Sequence, residues 1–527
     1  MRLKVNKMRI VRPPKTHTSF VNTSQNALQT DLQKNLKLFK TLLPSEDVLT
    51  YEFQTEDKVD CALIYADGMV NKELLGALIA RPLSALRLKS QTKPSEPKAE
   101  LIKTTARFPE LKEAETAEDA IKEILDGNTL LLVDGIKTAF IAGAKLLPVR
   151  AVIEPPTDVA VKGPREGFIE DVKTNMTLVR KRLKSPDLRF ETLRVGKRSD
   201  TAVALCWMEG TCNHAVKEEI RQRIEQIEID NIPDSSYIAA FLAPRKHSLF
   251  RSAATTEKPD VFAAKIVEGR VGILVDGSPI ALTLPYILTE DFQSSEDYFI
   301  SPFMATIFRA MRFFSLLVAI LLPAFYVSAQ LFKMQLLPLG LMLTIASGVR
   351  ELPLSPSLEM FVVLLLLEIL KEASIRMPKY VGMSLSVVGA LVLGETAVSA
   401  GFLSTPAIII VAFSGICLYT VPDLVETGSI LRWVFLIAAG SLGPFGIVLV
   451  SAFVFCYLLS SDAYGTPLLA PFSPLVRRDL RDSFVKYGME SLQTRPQFLN
   501  SPNTTRLRPE GKRQQADKQK QQGDDNE

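Results

Sequence analysis

The chain has 527 residues, which is enough for about three domains of ordinary size. Its net charge of +4 is too small to predict a nucleic-acid partner, and no basic patch is interleaved with aromatic residues. The five cysteines fall in no metal-binding or thioredoxin-like spacing, and the three histidines all precede the apolar part of the chain. We therefore expect no metal, no cofactor and no enzymatic activity.

The N-terminal 300 residues read as alternating helices and strands. Residues 1–30 lack periodicity and predict a mobile arm, whereas residues 31–44 carry apolar side chains at helical spacing. Residues 59–70 read as a buried strand that ends in an Asp-Gly turn. The basic first residues are not followed by an apolar stretch, so we expect no secretory signal.

An internal sequence repeat, here called the echo, divides this region into two. The segment ILDGNTLLLVDGIKTAF (124–140) aligns without gaps on IVEGRVGILVDGSPIAL (266–282). Each copy reads as a helix end, a glycine break, a strand, an Asp-Gly turn and a returning strand, because Asp-Gly supplies the positive φ angles of a tight hairpin. A chance match of so simple a pattern is the alternative, but we favour two related α/β subdomains.

A glycine-containing loop lies between the two copies. Its two glycines make the backbone flexible and its arginine can bind an anion, but the glycine and lysine spacing of a phosphate-binding loop is absent. A solvated basic surface is the simpler interpretation of the helix that follows. The residues of this predicted interaction loop are Gly163, Pro164, Arg165, Glu166, Gly167 and Phe168.

The C-terminal part is strongly apolar. Residues 313–332 carry no charge and are long enough to cross a hydrocarbon core about 30 Å thick. Similar runs cover 381–402, 406–421 and 433–461, while the shorter runs at 334–349 and 358–370 predict re-entrant or tilted helices. We expect an all-α polytopic transmembrane domain of about four to six spans. Basic residues before the first run place the N-terminal region in the cytoplasm.

Charge inside such a domain is costly, so its carboxylates are candidate functional groups. Glu395 is flanked by neutral stretches and is the better candidate for a cation-attracting group in a pore, with pairing to another helix as the alternative. Glu368 has basic residues three and eight positions later, which favours ion pairs along one helix face. Helix-packing small residues are predicted at Gly389, Gly394, Ser399 and Gly401, and a helix break at Gly443 and Pro444.

The predicted organisation of the chain has five parts. A mobile arm (1–30) precedes two cytoplasmic α/β subdomains (31–150 and 151–300) and the transmembrane helical domain (301–465). A cytoplasmic basic segment and a polar, disordered tail follow (466–527), since such a composition buries too little apolar surface from about residue 490 onward.

Several dispersed motifs then resemble one known family, the A subunits of spore germination nutrient receptors (GerA family). The resemblance is collinear from about residue 35 to about 490, and ten or so motifs in order are more specific than any one of them. It is carried by EPPTDVAVKGPREGFIEDVKTN, TTEKPDVFAAKIVEGRVGILVDGSPIALTLP, QSSEDYF, VVGALVLGETAVSAGFLSTPAIIIVA and APFSPLVRRDLRDSF, among others.

The resemblance implies a function that the composition does not. An A subunit of this family sits in the spore inner membrane with a permease-like B subunit and a lipoprotein C subunit. It is thought to associate with copies of itself into an ion-conducting pore that opens when nutrient binds. The alternative is a membrane scaffold, or a paralogous spore membrane protein associated with dipicolinate or ion release, that carries no pore itself.

Overall fold

A computed structural model describes residues 28–87, 111–146, 162–245, 248–332, 353–376 and 396–506, together with a few isolated residues between these ranges. The chain forms two compact units. The N-terminal unit contains the described residues up to Tyr286, with Ala463–Thr466 and the residues from Met489 onward. The helical unit contains Ile287–Asp462 and Pro467–Gly488. Residues 287–300, predicted to end the second subdomain, thus group with the helices.

The first half of the N-terminal unit is an antiparallel five-stranded sheet in the order β1-β2-β4-β5-β3. Alternate residues of its central strands point to opposite faces, each covered by helices: Ile64 and Leu132 pack on one side, Leu63 and Leu131 on the other. The elements are Leu32–Leu42 (α1), Val48–Gln54 (β1), Asp60–Ala66 (β2), Lys72–Leu75 (α2), which continues through the π-helical Gly76–Ala80 into Arg81–Ser84 (α3), Leu111–Ala114 (β3), Ala117–Leu125 (α4), Thr129–Val133 (β4) and Ala139–Ala142 (β5).

The second half repeats this arrangement. Its five strands pair in the order β6-β7-β9-β10-β8, which is the first order with every strand number raised by five. Helices again cover both faces of the sheet. The elements are Val172–Arg182 (α5), Leu188–Val195 (β6), Thr201–Met208 (β7), His214–Glu225 (α6), Ser235–Leu242 (α7), Ala254–Thr256 (β8), Pro259–Glu268 (α8), Val271–Val275 (β9) and Ala281–Leu284 (β10).

The two copies of the echo occupy equivalent places in the two halves, so the prediction of two related α/β subdomains is confirmed. Each Asp-Gly turn has its glycine at positive φ, 82° at Gly135 and 84° at Gly277. Each aspartate also accepts a hydrogen bond from the first residue of a helix: Asp134 Oδ1 from the α1 backbone at 3.1 Å and Asp276 Oδ1 from the α5 backbone at 3.2 Å. The turn therefore fixes both the hairpin and the helix that precedes its sheet.

A buried ion pair joins the two halves. The carboxylate of Asp47 accepts two hydrogen bonds from the guanidinium of Arg180, from Nε and from Nη2, each 2.8 Å long. Arg180 also donates to the carbonyl oxygens of Ser185 and Leu188. The hydroxyl of Ser45 contacts the same carboxylate and accepts from the backbone N–H of Phe190. The loop before β1 and the start of β6 are thereby held together.

The helical unit contains the long helix that the uncharged run predicts. Two described helices, Pro302–Phe332 and Pro422–Leu442, are long and apolar enough to cross a membrane, and two apolar helices are shorter. Most of the predicted runs at 334–349 and 381–402 lie outside the described residues, so the number of spans stays a prediction. The helices are Pro302–Phe332 (α9), Pro356–Arg376 (α10), Ala397–Ser399 (α11), Thr405–Leu418 (α12), Val425–Leu442 (α13) and Pro444–Leu459 (α14).

The chain after residue 489 stays folded for longer than its polar composition suggests. Leu492 and Leu499 are buried, and Arg495 Nε donates to the carbonyl of Val267 at 3.0 Å. The hydroxyl of Ser501 donates to the carbonyl of Thr211. The folded part therefore reaches Arg506, beyond the start predicted for the tail, because two leucines and one arginine dock on the N-terminal unit. Residues 507–527 lie outside the described range.

Candidate functional site

A layer of charged side chains lies inside the helical unit. Arg432, near the middle of α13, is buried, and its Nη2 lies 2.7 Å from Glu368 Oε1 on α10. The second oxygen of Glu368 accepts from Lys371 Nζ at 2.8 Å. Arg432 Nη1 also donates to the hydroxyl of Ser414 on α12, which donates in turn to the carbonyl of Ala319 on α9. This "charge layer" of Glu368, Lys371, Ser414 and Arg432 connects four helices.

The pairing explains how these charges are tolerated. A single charged side chain at the centre of an apolar helix costs about 2.5–3.5 kcal/mol on membrane insertion, so such groups face the interior of a bundle and pair. Here one carboxylate is shared by an arginine and a lysine, both within 3 Å of it. The layer holds α9, α10, α12 and α13 in register, and it places polar atoms in a part of the unit that is otherwise apolar.

A second buried cluster lies at the start of α9. Asp297, which has no exposed surface, accepts from Arg309 Nε at 3.0 Å and from both Nη atoms of Arg312 at 2.9 and 3.0 Å. Arg309 Nη1 reaches the carboxylate of Asp482 and two backbone carbonyls beside it. Lys486 donates to the carbonyl of Asp297 and lies 4.2 Å from the ring of Tyr298. Two of the motifs that carry the family resemblance, QSSEDYF and APFSPLVRRDLRDSF, thus meet at the start of α9.

The electrostatics of this Asp297 cluster favour the ionised form of the carboxylate. Burial by itself raises the pKa of Asp297, but the hydrogen bonds and positive charge of Arg312, with Arg309, bring that pKa below its ordinary value of 3.8. Burial, and then the neighbouring Arg309, lowers the pKa of Lys486. At neutral pH the carboxylate is therefore ionised, and it ties the segment before α9 and the segment around Asp482 to the first turns of that helix.

In the predicted interaction loop, Glu166 faces the basic end of α5. Its carboxylate lies 2.7 Å from Lys181 Nζ and 2.8 Å from Arg182 Nη2. The hydrogen bond from Lys181 is the largest influence lowering the pKa of Glu166. Phe168 is buried and meets Phe262 edge-on, with ring centroids 5.5 Å apart. The loop is thus packed at one end and pairs with two basic side chains at the other, and its role as an interaction loop stays a prediction.

Cysteines of the N-terminal unit are buried rather than poised for chemistry. Burial raises the pKa of Cys61 and of Cys212 to about 12, and that of Cys206 higher still. Thiols with such pKa values stay protonated at neutral pH and are poor nucleophiles. In the helical unit Cys417 is buried, whereas Cys456 is exposed.

The other predicted site residues are scattered. Glu395 and Gly394 lie outside the described residues. Ser399 is exposed, and Gly401 has a positive φ of 70° with open space around it. A Cβ at Gly389 would lie 3.2 Å from the side chain of Leu370, which is a close helix contact. At Gly443 the backbone has φ 61° and ψ −143°, and the helix breaks there: α13 ends at Leu442 and α14 begins at Pro444.

Several of the residues brought together here were not singled out from the sequence. Arg432 directly precedes the apolar run 433–461 and lies seven residues after the start of α13, and a single arginine inside an apolar helix is a usable signal. Arg309 and Arg312 are the basic residues before the first apolar run, and their partners Asp297 and Asp482 lie in motifs that carry the resemblance. Asp47 and Arg180, more than 100 residues apart, gave no signal at all.

The fold and the buried charges define a class of protein: a tandem α/β unit followed by a helical unit with two candidate membrane-crossing helices and a paired charge layer inside it. The family model described as "Bacillus/Clostridium GerA spore germination protein" matches residues 34–498. The chain belongs to this GerA family, which confirms the resemblance seen in its motifs. Family and helices together indicate a membrane-associated protein of the germination receptor type.

Individual relatives are similar over most of their length. Spore germination protein KA of Bacillus subtilis (strain 168) is 31% identical over 506 residues, which are 94% of this chain and 92% of that protein. Spore germination protein GerLA of Bacillus cereus is 31% identical over 85% of this chain and 91% of its own. The crystal structure of the N-terminal domain of the A subunit of the Bacillus megaterium spore germinant receptor GerK3 covers 50% of this chain and 97% of that structure, with 27% identity and a TM-score of 0.40.

Proposed function

We propose that this chain is the A subunit of a nutrient-sensing germination receptor in the spore inner membrane, and that its helical unit forms part of a nutrient-gated path for ions. In this proposal the N-terminal unit faces the spore core, and the receptor also contains a permease-like B subunit and a lipoprotein C subunit. Ion release through the path triggers germination. The charge layer inside the helical unit is the observation that carries the proposal, because polar atoms at such depth in apolar helices are typical of ion pathways.

Self-association is part of the proposal and is supported by an unpacked helix. Of the described residues of α14, only Gly446 and Ile447 are buried. Phe445, Val448 and Phe453 are each more than 60% exposed. Faces of this kind contact lipid or another membrane helix. Copies of the chain packed through α14 would surround a common axis, as an oligomeric pore requires.

A test in spores uses the carboxylate that the sequence singles out. Glu395→Gln removes one negative charge, and we expect slower nutrient-triggered potassium release and slower germination at an unchanged protein level. The matched control is Glu372→Gln on α10, whose carboxylate is exposed and pairs with Arg376, four residues further on, and it should behave as the parent does. Normal ion release in the Glu395→Gln spores would show that this residue has no part in the path.

A scaffold without a pore is the second candidate, and one observation favours it. The charge layer is internally paired, since Glu368 satisfies both Arg432 and Lys371. Such a layer serves to lock helices together without conducting anything. On this alternative another subunit carries the ions, and vesicles that contain this chain alone are as tight to potassium as empty ones.

A further inference from the structure

A second carboxylate lies inside the helical unit, away from the charge layer. Glu359, in the first turn of α10, has no exposed surface. Its Oε1 accepts a hydrogen bond from the backbone N–H of Ser404, the residue that caps the start of α12. Its Oε2 is buried and makes no hydrogen bond in the part of the chain that the structure describes. Half of this carboxylate is therefore without a partner.

Two further side chains bring unpartnered polar atoms to the same place. Tyr326 and Gln330 lie one turn apart on α9, and both are more than nine-tenths buried. The hydroxyl of Tyr326 lies close to the side chains of Ser404 and Gln330 and within electrostatic range of the Glu359 carboxylate. That hydroxyl, and both the oxygen and the nitrogen of the Gln330 amide, make no hydrogen bond of acceptable geometry within the described residues. Four buried polar atoms on Glu359, Tyr326 and Gln330 thus lack a hydrogen-bond partner among the described residues.

The described residues supply no ion-pair partner for this carboxylate. The side chains packed around Tyr326 are apolar, among them Met360, Leu403 and Leu436, and no lysine, arginine or histidine forms an ion pair with Glu359 in the described residues. Tyr326 lies 14 residues beyond Arg312, or about 21 Å along the helix axis. The start of α12, whose N–H groups carry a partial positive charge, lies against this carboxylate. Where the carboxylate is ionised, a bound cation supplies the missing counter-charge.

We infer that Glu359, Tyr326, Gln330 and Ser404 form a binding site for a monovalent alkali cation. The donors are hard oxygens, from a carboxylate, a phenol, an amide and a hydroxyl, which suit alkali and alkaline-earth ions rather than softer metals. One carboxylate balances one positive charge, whereas divalent ions are usually held by several. The described residues contain no group of three or more acidic, histidine or cysteine side chains placed to hold a metal ion together. The role of this site as a binding position along an ion path rests on the function proposed above.

The chain carries its own reporter for this site. Trp433 packs against the same apolar cluster and meets the ring of Phe361, two residues from Glu359, with centroids 4.8 Å apart. The chain has two tryptophans, and Trp207 lies in the N-terminal unit. In a Trp207→Phe background the fluorescence of Trp433 reports on the helical unit alone.

The experiment titrates the full-length chain in detergent micelles with potassium chloride or sodium chloride. N-methylglucamine chloride holds the ionic strength constant, because that cation is too large for the site. We expect a saturable change in Trp433 fluorescence and a saturable rise in the thermal unfolding midpoint with at least one alkali ion. Glu359→Gln should abolish both responses, and Tyr326→Phe should weaken the apparent affinity severalfold. Glu372→Gln, the same change at an exposed position of the same helix, should leave both intact.

Three results would overturn the inference: no saturable response of the parent chain, an unchanged response in Glu359→Gln, or a magnesium or calcium response tighter than either alkali ion. Where Glu359→Gln does not fold, Tyr326→Phe decides, since it removes one oxygen and leaves the packing. Potassium release from loaded vesicles is measured separately. If the chain binds an alkali ion but releases no potassium from vesicles, the proposed function is contradicted and the binding site stands. If it releases potassium but binds no alkali ion in micelles, the binding site alone is contradicted.

Discussion

Replacement of Asp47 by alanine tests how the two halves of the N-terminal unit are joined. Both partners of the Asp47–Arg180 pair are nearly inaccessible, with 5% and 2% of their side chains exposed. Alanine removes both hydrogen bonds from Arg180 to the carboxylate and leaves a buried guanidinium with neutral acceptors alone among the described residues: the carbonyls of Ser185 and Leu188 and the hydroxyl of Ser45. Breaking a buried pair in this way costs about 3–5 kcal/mol, chiefly because the remaining charge has no counter-ion.

The matched control breaks ion pairs made by the same helix, α5. Glu166→Ala breaks the pairs with Lys181 and Arg182, the next two residues after Arg180, but about a third of the Glu166 side chain is exposed. Solvent screening reduces such pairs to about 1 kcal/mol or less. Urea unfolding of the purified full-length chain, followed by hydrogen exchange in β1 and β6, measures both variants. If Asp47→Ala destabilises these strands no more than Glu166→Ala does, the ion pair does not hold the two halves together.

Three further changes test the helical unit, each read as the thermal unfolding midpoint in micelles. Arg432→Met should lower the free energy of unfolding by about 2 kcal/mol, because it removes a charged hydrogen bond to Glu368. A second change, Glu368→Gln, should restore part of this loss. An unchanged midpoint in Arg432→Met contradicts the pairing. Asp297→Asn should cost about 1.5–3 kcal/mol at pH 7. The pKa of Asp297 is lowered in the folded chain, so the parent loses this stabilisation as the pH falls below 3.8. The unfolding midpoints of parent and variant should therefore converge in acid and stay apart at alkaline pH. Gly443→Ala should cost about 1–3 kcal/mol, since the backbone there has positive φ and the new Cβ would lie 2.8 Å from Phe332; a neutral effect would show that the break tolerates a side chain.

The sequence predicted those features that local pattern controls. The echo placed two Asp-Gly hairpins correctly because each depends on a glycine at positive φ directly after the strand, at Gly135 and at Gly277. The long α9 followed from uncharged length, and the break before Pro444 from a glycine and a proline in succession. None of these local patterns indicates that the two sheets share the same strand order.

Contacts between distant residues could not be predicted in this way. Glu368 was recognised as a partner of Lys371 because three residues bring the two side chains to one face of a helix. Its contact with Arg432 depends on how α10 packs against α13, which no spacing encodes. Glu359 lies near the edge of its apolar run, where a carboxylate is ordinarily solvated, so its burial became evident only from the packing around Ser404.

Potassium release from vesicles tests most directly whether this chain carries ions. The purified full-length chain is reconstituted into potassium-loaded liposomes, and release is compared with that from protein-free liposomes and from liposomes that contain the Arg432→Met variant. We expect release well above the protein-free rate and a changed rate in the variant, because Arg432 holds the charge layer in register. Vesicles that retain potassium as well as protein-free ones do would contradict an ion path in this subunit and leave it the role of a scaffold.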